Sequence, residues 1–356
     1  MSGSGAGLAD PGALAAAIEA GLAGAGIPAL SAGMQRLMAA YRSAEPPARP
    51  VLATRTDVAA YAAYRMPATT AAAALALQQT RLSLPTWTPA TLLDFGAGTG
   101  SMAWAAATQL PSVTAMTLLE QSAEAMRLGR SILTATERRA LRSATWRSWQ
   151  LPDADALPDR SAEQSADLAT AGYLLGELTE AQQASLVARA VMAAPVVVLV
   201  EPGTPAGHRR ILVARGQLLA AGYLLAAPCP HELRCPLQAE GDWCHFGARL
   251  PRSALHRQVK GSELGYEDEK FSYVAAVRPD LIGHPDRPPG RIVRRPHQRK
   301  GLVTLELCEK TGSARRELIG KSAGETYRQA RRSSWGDRFE ASSQGSGDRG
   351  RRADQT

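Results

Sequence analysis

The chain of 356 residues has no run approaching the roughly 20 apolar residues that a helical membrane span requires. Its N-terminus also lacks a charged segment followed by an apolar one, which excludes an ordinary secretory signal. A transit peptide is rich in arginine and poor in acidic residues, whereas here Asp10 and Glu19 precede the first arginine, Arg36. These absences predict a cytoplasmic protein that does not bind a membrane.

Cysteine is scarce, and none occurs in the first 228 residues. Disulfides are disfavoured in an intracellular protein, so a group of cysteines favours a metal site. Zinc would usually show a C-x₂₋₄-C hook, and the wider spacing here suits an iron–sulfur cluster at least as well, which leaves both open. His231 and His245 are alternative zinc ligands, although a hydrogen bond to a loop carbonyl is the simpler interpretation. The four cysteines are Cys229, Cys235, Cys244 and Cys308.

Net positive charge is absent from most of the chain, although the formal net charge of the whole is +8. Residues 287–356 hold 17 Lys/Arg and 8 Asp/Glu, a net +9. Residues 1–286 therefore hold 24 and 25, a net −1. The basicity belongs to the C-terminal fifth, where it favours an RNA partner.

The hydrophobic pattern changes along the chain and predicts four parts. Short apolar runs alternate with helical segments from residue 90, which predicts an α/β fold with a parallel sheet covered by helices on both faces. FSYVAAV (271–277) and LVTLELC (302–308) are expected to return to this core as strands. The predicted parts are a helical N-terminal extension (1–88), a Rossmann-like core (89–225), a cysteine-rich segment with returning core strands (226–310) and a basic C-terminal extension (311–356), disordered from about residue 340.

A glycine-rich loop, DFGAGTG (94–100), lies between a predicted strand and a predicted helix. This order is typical of a nucleotide-binding loop, in which glycines allow close approach of a ligand to the helix N-terminus. A dinucleotide and S-adenosylmethionine both fit, but Asp94 would repel a pyrophosphate and could hold an ammonium group, which favours S-adenosylmethionine. The expected cofactor-binding residues are Asp94, Gly96, Ala97, Gly98, Gly100, Glu120 and Asp153.

The catalytic signatures of known methyl-transfer chemistries are missing. Amino-methylating enzymes of this fold usually carry an Asn/Asp-Pro-Pro-aromatic segment where this chain has DLATAGYLLGE (167–177). A cytosine C5 methyl transfer needs a cysteine nucleophile near the cofactor. The sequence therefore predicts a cofactor loop without identifiable catalytic residues.

Further basic and aromatic residues are candidates for RNA contacts. As a group, Arg65, Arg249, Arg252, Arg257 and Lys260 could bind phosphates, although each alone is an ordinary surface charge. The acidic triplet 267–269 is expected to be solvated or structurally paired. Tyr327, Trp335 and Phe339 alternate with arginines, a pattern that suits either unstacked RNA bases or a C-terminal helix packed on the core.

These segments together resemble one family: the methyltransferase-like proteins associated with the small subunit of mitochondrial ribosomes, and their bacterial relatives. The resemblance covers about residues 50–340. The matching segments are YRMPAT (64–69), LLDFGAGTGSMAWAA (92–106), DLATAGYLLGEL (167–178), VEPGTPAGHRRILVAR (200–215), APCPHELRCPL (227–237), DWCHFGARLPRS (242–253), GYEDEKFSYVAAVR (265–278) and YRQARRSSWGDRF (327–339).

The resemblance implies a class I S-adenosylmethionine-dependent methyltransferase fold with a cysteine-rich metal-binding insertion. It also implies a role in assembly or translation of the small ribosomal subunit through its rRNA, with no DNA partner. It further implies a [4Fe–4S] cluster on Cys229, Cys235, Cys244 and Cys308, with zinc as the alternative. The expected function is a ribosome-binding protein that holds S-adenosylmethionine and the cluster. The alternatives are an active rRNA methyltransferase and a non-catalytic RNA-binding module with a structural or redox-sensing cluster.

Overall fold

The computed structural model describes residues 11–42, 52, 54–151, 165–239, 241–261 and 263–340. The strands are β1 (Thr91–Phe95), β2 (Ala115–Glu120), β3 (Thr145–Ser148), β4 (Leu168–Gly172), β5 (Val196–Pro202), β6 (Leu224–Ala227), β7 (Phe246–Pro251), β8 (Tyr266–Val277), β9 (Gly290–Ile292), β10 (His297–Arg299), β11 (Leu302–Glu309), β12 (Ala314–Gly320) and β13 (Arg338–Phe339). The α-helices are α1 (Pro11–Gly21), α2 (Ile27–Arg42), α3 (Arg55–Tyr64), α4 (Met66–Ser83), α5 (Ser101–Gln109), α6 (Ala123–Thr134), α7 (Arg139–Arg142), α8 (Glu180–Ala193), α9 (Pro205–Ala220), α10 (Pro236–Ala239), α11 (Ala254–Lys260), α12 (Pro279–Ile282) and α13 (Glu325–Arg332). Among these residues, no helix is long and apolar enough to cross a membrane.

The main sheet has eight strands, paired in the order β3-β2-β1-β4-β5-β8-β6, with β7 also on β8. Strands β1 to β5 are parallel, and β8 is antiparallel to β5, β6 and β7. This arrangement, with helices on both faces, confirms the Rossmann-like methyltransferase fold. The prediction of a parallel sheet is wrong at β8, which runs antiparallel to its neighbours.

Both faces of the main sheet are buried, as the run VVVLV (196–200) predicts. Val196, Val198 and Val200 pack in one hydrophobic cluster with α1 to α6. Val197 and Leu199 pack in the other, with α8 and α9. The N-terminal helices therefore form part of the main core, and most residues of α4 are buried.

A second, five-stranded antiparallel sheet follows the first, in the order β10-β11-β9-β13 with β12 on β11. The expectation that residues 302–308 return to the main core is wrong, because β11 pairs only within this sheet. Its apolar residues, including Val303, Leu305 and Leu307, form a separate small core. The alternating pattern identifies a strand with one buried face, but it does not identify the sheet that the strand joins.

A buried arginine attaches the second sheet to the main one. Arg291, on β9, is only 1% exposed. Its guanidinium donates to the carbonyls of Pro228 and Gly336 and to the side-chain oxygen of Gln79 on α4. Because these acceptors come from three parts of the chain, one side chain fixes β9 against both β6 and α4.

The turn from β5 into α9 provides a stability test, because a Cβ atom on Gly207 would lie 2.0 Å from the carbonyl oxygen of Pro202. We expect Gly207→Ala to destabilise the protein by about 2–4 kcal/mol, since backbone must move to relieve the clash. The matched control is Gly216→Ala on the same helix, where a Cβ meets nothing within 4 Å. It should stabilise the protein by about 0.5–1 kcal/mol. Urea unfolding measures both, and equal midpoints would contradict the predicted clash.

Candidate functional site

The glycine loop joins β1 to α5 and turns sharply. Gly96, Gly98 and Gly100 have φ values of 64°, 57° and 95°, the left-handed region that favours glycine. A Cβ atom on Gly96 would lie 2.8 Å from Leu174, whereas one on Gly98 would meet only Leu52, at 4.0 Å. The space beside Gly98 is where a ligand can approach the loop. Ala97 is buried, and its N–H donates to the carbonyl of Leu119.

Glu120 lies at the end of β2 against this loop. Its carboxylate accepts hydrogen bonds from the backbone N–H of Gly98 and of Ser122, both at 2.8 Å. Burial raises the pKa of Glu120, and these two hydrogen bonds oppose the rise. Each oxygen keeps a further acceptor position, so the carboxylate can still receive a ligand hydroxyl.

Asp94 is fully buried behind the loop and does not line the cavity beside Gly98. Its Oδ1 accepts from the hydroxyl of Thr170 at 2.7 Å, and its Oδ2 has no partner among the described residues. Burial raises the pKa of Asp94 to about 7, with a smaller rise from the charge of Glu120. A buried acceptor without a donor is costly, so this position favours a bound cation or donor. Asp153 lies outside the described residues.

A cavity of about 80 Å³ opens between the glycine loop and the end of β4. Gly96, Gly98 and Glu120 line it together. Sequence reasoning missed four further lining residues: Tyr61, Trp149, Tyr173 and Glu177. Glu177 and Tyr173 follow β4, the strand next to β1, and their position after a buried strand was the available signal.

Glu177 adds a second acidic group to the cavity. Burial raises the pKa of Glu177 to about 8, and the charges of Glu120 and Glu201 add to the rise. Glu201 is itself buried with a pKa raised to about 7, although it pairs with Arg210 at 2.9 Å. Carboxylates that resist ionisation in this way would be stabilised by a positively charged ligand.

Tyr173 is held in an unusual conformation beside the cavity. It has a φ of 60°, and its hydroxyl donates to Glu269 at 2.9 Å. The same carboxylate forms two hydrogen bonds with Arg65, at 2.9 and 3.0 Å. A backbone held in the left-handed region by a fully engaged side chain marks a constrained position.

The expectation that Arg65, Arg249, Arg252 and Lys260 bind phosphate as a group is wrong. Each is paired with the acidic triplet on β8, which confirms the structural interpretation of that triplet. Arg252 and Lys260 contact Glu267 at 2.9 and 2.5 Å, and Arg249 contacts Asp268 at 2.6 Å. Arg257 is exposed on α11. The sequence placed these charges close together, but it did not show that they neutralise one another.

The four cysteines line one cavity, where the chain between β6 and β7 meets β11. Burial raises the pKa of the thiols of Cys229, Cys244 and Cys308, and the neighbouring thiols raise each further. Within the described residues, no three His, Cys, Asp or Glu side chains are grouped so that they could hold a metal ion. The predicted metal-binding insertion is therefore not confirmed as a metal site.

The two histidines of this segment make different contacts. The Nε2 atom of His231 lies 3.3 Å from the sulfur of Cys308. His245 contacts the carbonyl of Trp243 through Nδ1 at 3.2 Å, in agreement with the simpler interpretation of a loop hydrogen bond.

Two buried arginines face the cysteine cavity, Arg215 and Arg291. Arg215 donates to the carbonyls of His231 and Leu233. The Nε of Arg215 and the Nη2 of Arg291 have no partner among the described residues, where neither guanidinium forms a salt bridge. Positive charge buried without a carboxylate would be compensated by negative charge in the cavity.

The aromatic residues of the C-terminal part separate into two groups. Phe339 is buried in the core of the second sheet, and Tyr327 packs against it, as the packed-helix interpretation predicts. Trp335 is partly exposed and lines an open cleft of about 600 Å³ between the two sheets.

Comparison with known proteins gives matches over most of the chain. The family model described as "Mitochondrial small ribosomal subunit Rsm22" matches residues 55–340. The human "Ribosome assembly protein METTL17, mitochondrial" is 29% identical over 297 residues, which cover 78% of this chain and 61% of the relative. The "Rsm22-cox11 tandem protein 2, mitochondrial" of Schizosaccharomyces pombe is 26% identical, covering 40% of this chain and 24% of the relative. The chain thus spans about three fifths of the first relative and a quarter of the second.

Among solved structures, the precorrin-6y C5,15-methyltransferase of Geobacter metallireducens superposes with a TM-score of 0.36. Its sequence is 16% identical, and the superposition covers 58% of this chain and 86% of that one.

The expected cytoplasmic localisation is contradicted by these comparisons. The matching family and both relatives are described as mitochondrial. The composition of the N-terminal residues was a poor guide to the compartment.

Proposed function

Because the chain belongs to the mitochondrial small ribosomal subunit Rsm22 family, we propose that it acts in small-subunit assembly by binding rRNA. It holds S-adenosylmethionine beside Gly98 and a thiolate-ligated [4Fe–4S] cluster on the four cysteines. The observation that carries the cofactor proposal is the group of carboxylates with raised pKa around the glycine loop, of which Asp94 and Glu120 are buried and Glu177 is half-buried.

The charge of the loop cavity fits S-adenosylmethionine better than a dinucleotide. The methionine part of this cofactor carries an ammonium and a sulfonium group, whereas a dinucleotide carries a pyrophosphate. Glu120 and Glu177 line the cavity, and the unpartnered Oδ2 of Asp94 lies behind it. A cation would favour the ionised form of all three, while an anion would be repelled. In this proposal Glu120 holds the ribose hydroxyls and Gly98 allows the close approach.

Methyl transfer is not part of the proposal. Tyr173 follows β4, where this fold places catalytic groups, but its hydroxyl is engaged with Glu269. Glu177 has a raised pKa, but among the described residues no hydrogen bond or ion pair joins its carboxyl group to a second candidate catalytic group. The cofactor is proposed to stabilise the loop and the surrounding helices in the folded state.

The charges around the cysteine cavity fit a thiolate-ligated group. Four thiolates with a single zinc ion or a [4Fe–4S]²⁺ cluster carry a net charge of about −2. Arg215 and Arg291 supply two buried positive charges that lack carboxylate partners among the described residues. The spacing of the cysteines leaves zinc and the cluster both open, and the resemblance to the family favours the cluster. When bound, the cluster would join three thiolates of the chain between β6 and β7 to Cys308 on β11, which would stiffen the 226–265 segment.

Calorimetry tests the cofactor proposal. We expect S-adenosylmethionine to bind more tightly as the pH rises from about 6 to about 8, because a cationic ligand favours ionised carboxylates whose pKa values lie near 7 and 8. Binding should release protons, so the measured heat should depend on the ionisation enthalpy of the buffer. Glu177→Gln should weaken binding about tenfold and reduce the proton release.

The matched control is Glu180→Gln, an exposed carboxylate at the start of α8 that does not line the cavity. It should leave both quantities unchanged. Without ligand, Glu177→Gln should also be more stable than the natural protein at pH 8. A carboxyl group whose pKa is raised in the folded protein contributes stability at pH values below its pKa in the unfolded chain. This contribution is lost as the pH rises through about 8. No heat at high ligand concentration would sink the cofactor proposal.

Anaerobic purification tests the cysteine site. We expect a brown protein with absorbance near roughly 400 nm, as thiolate-ligated clusters show. Cys308→Ser should lose the colour and lower the thermal midpoint, whereas Thr304→Ser, on the same strand and outside the cavity, should change neither. A colourless protein with one bound zinc would contradict the cluster and support a zinc ion on the same thiolates. A colourless protein without metal would contradict both.

Filter binding to small-subunit rRNA tests the RNA-binding part. We expect affinity to fall steeply as salt rises, since arginine and lysine contacts release counterions from phosphates. Deletion of residues 341–356, which removes only the arginine-rich end, should leave specific binding largely intact. If that deletion alone abolished binding, the interface could not lie on the described part of the chain.

A further inference from the structure

We propose that the cleft between the two sheets binds single-stranded RNA, with Trp335 stacked on a base and Lys270 and Arg295 on the flanking phosphates. This proposal rests on the proposed function and adds to it a particular site and a particular form of RNA. We refer to the site as the interdomain cleft, and it is open to solvent with a volume of about 600 Å³. It is lined by Gly247, Arg249, Asp268, Lys270, Arg295, Pro296, Gln298, Ser333, Ser334 and Trp335.

One wall of the cleft is the outward face of the pair β7–β8. The register places Gly247 opposite Lys270 and Arg249 opposite Asp268, so all four side-chain positions share one face of the sheet. The other wall comes from the second sheet, through Arg295 and Gln298, and from the residues that follow α13. Backbone pairing and helix packing fix both walls before any ligand binds.

The cleft carries net positive charge. Arg249 is neutralised by Asp268, with which it forms two hydrogen bonds. Lys270 and Arg295 are exposed, and neither forms a salt bridge within the described ranges. Exposed cations without carboxylate partners can exchange water for phosphate oxygens at little cost. The cleft thus offers two exposed cations that form no salt bridge among the described residues, although the charge of Asp268 also acts on Arg295.

The floor of the cleft is aromatic and well supported. The ring of Trp335 packs over Gly247, where a Cβ atom would lie 3.2 Å from the indole. It also meets His245 edge-on, with ring centroids 5.0 Å apart, and His245 in turn stacks on Trp243 at 5.2 Å. A partly exposed indole in a cleft that two cations also line is the combination that binds unstacked bases, since every base offers a flat face.

Single-stranded RNA fits this site better than an acidic peptide or an RNA duplex. An acidic peptide would use the two cations but not the indole. A duplex keeps its bases stacked on one another, so Trp335 could not reach a base face. The juxtaposition of Trp335 with Lys270 and Arg295 therefore selects an unpaired strand.

The test uses the full chain and a fluorescently labelled ten-nucleotide single-stranded RNA, with binding measured by anisotropy. We expect the double variant Lys270→Glu and Arg295→Glu to bind at least tenfold more weakly. Its plot of log affinity against log salt should be shallower by about 1.4, because two phosphate contacts with a single strand are lost. The matched control is Arg139→Glu with Arg142→Glu, which makes the same charge change on exposed residues of α7, beside β2. It should bind nearly as the natural protein does.

Trp335→Ala should weaken binding about 5- to 100-fold without changing the salt dependence, since stacking involves no counterion. Trp335→Phe keeps an aromatic ring on Gly247, so it should fold normally and show a smaller loss. The charge variants should change both the affinity and its salt dependence, whereas the Trp335 variants should change the affinity alone. This difference separates the contribution of stacking from that of charge.

The outcomes distinguish the two proposals. If the natural chain binds neither this RNA nor small-subunit rRNA, the proposed function fails. If it binds both and the cleft variants match the α7 control, the cleft proposal alone is overturned. Equal binding of a polyglutamate peptide, with no effect of Trp335→Ala, would replace RNA with an acidic protein segment as the occupant.

Discussion

Charge buried without a counter-charge is costly, and this chain carries it in two places of opposite sign. Around the glycine loop, Asp94 and Glu177 are carboxyl groups whose pKa values burial raises to about 7 and 8. At the cysteine cavity, Arg215 and Arg291 are guanidiniums with unpartnered nitrogens. Folding alone satisfies neither set. A cationic ligand on one side and an anionic group on the other would relieve both, which is why the two cavities are proposed to hold different kinds of cofactor.

The cavities are not interchangeable, because the fold gives each a different support. The loop cavity sits at the carboxyl ends of β1 and β4, where parallel strands present backbone N–H groups and the start of a helix. The cysteine cavity sits between sheets, and its four sulfurs come from loops and from β11. Arg291 reaches from the second sheet to Pro228 and Gln79, so the same residue that supplies charge also holds the sheets together. Stability and ligand binding are coupled at this position.

Sequence reasoning succeeded where local pattern and covalent order decide the structure. The strand–loop–helix order around Gly96 and Gly98 placed Glu120 beside the loop, since strand length and sheet order fix that distance. It failed where long-range pairing decides. The alternation in residues 302–308 describes a strand with one buried face, and it is the same for either sheet. From the sequence, Arg65 and Arg252 were candidates for phosphate binding. The structure shows that they pair with the acidic triplet on β8. Glu177 was missed because its raised pKa depends on its burial in the fold and on the charges of Glu120 on β2 and Glu201 on β5.

Successive side chains in the first half of β8 point to opposite faces of the sheet. Glu267 and Glu269 point to the pairs with Arg252 and Arg65, while Asp268 and Lys270 point to the interdomain cleft. Insertion or deletion of one residue in the first half of β8 would exchange these faces. It would place Glu267 and Glu269 in the cleft and Lys270 against Arg65 and Tyr173. Single substitutions can therefore tune one face at a time, but changes in length cannot. We expect this half of the strand to reject any change in the number of its residues.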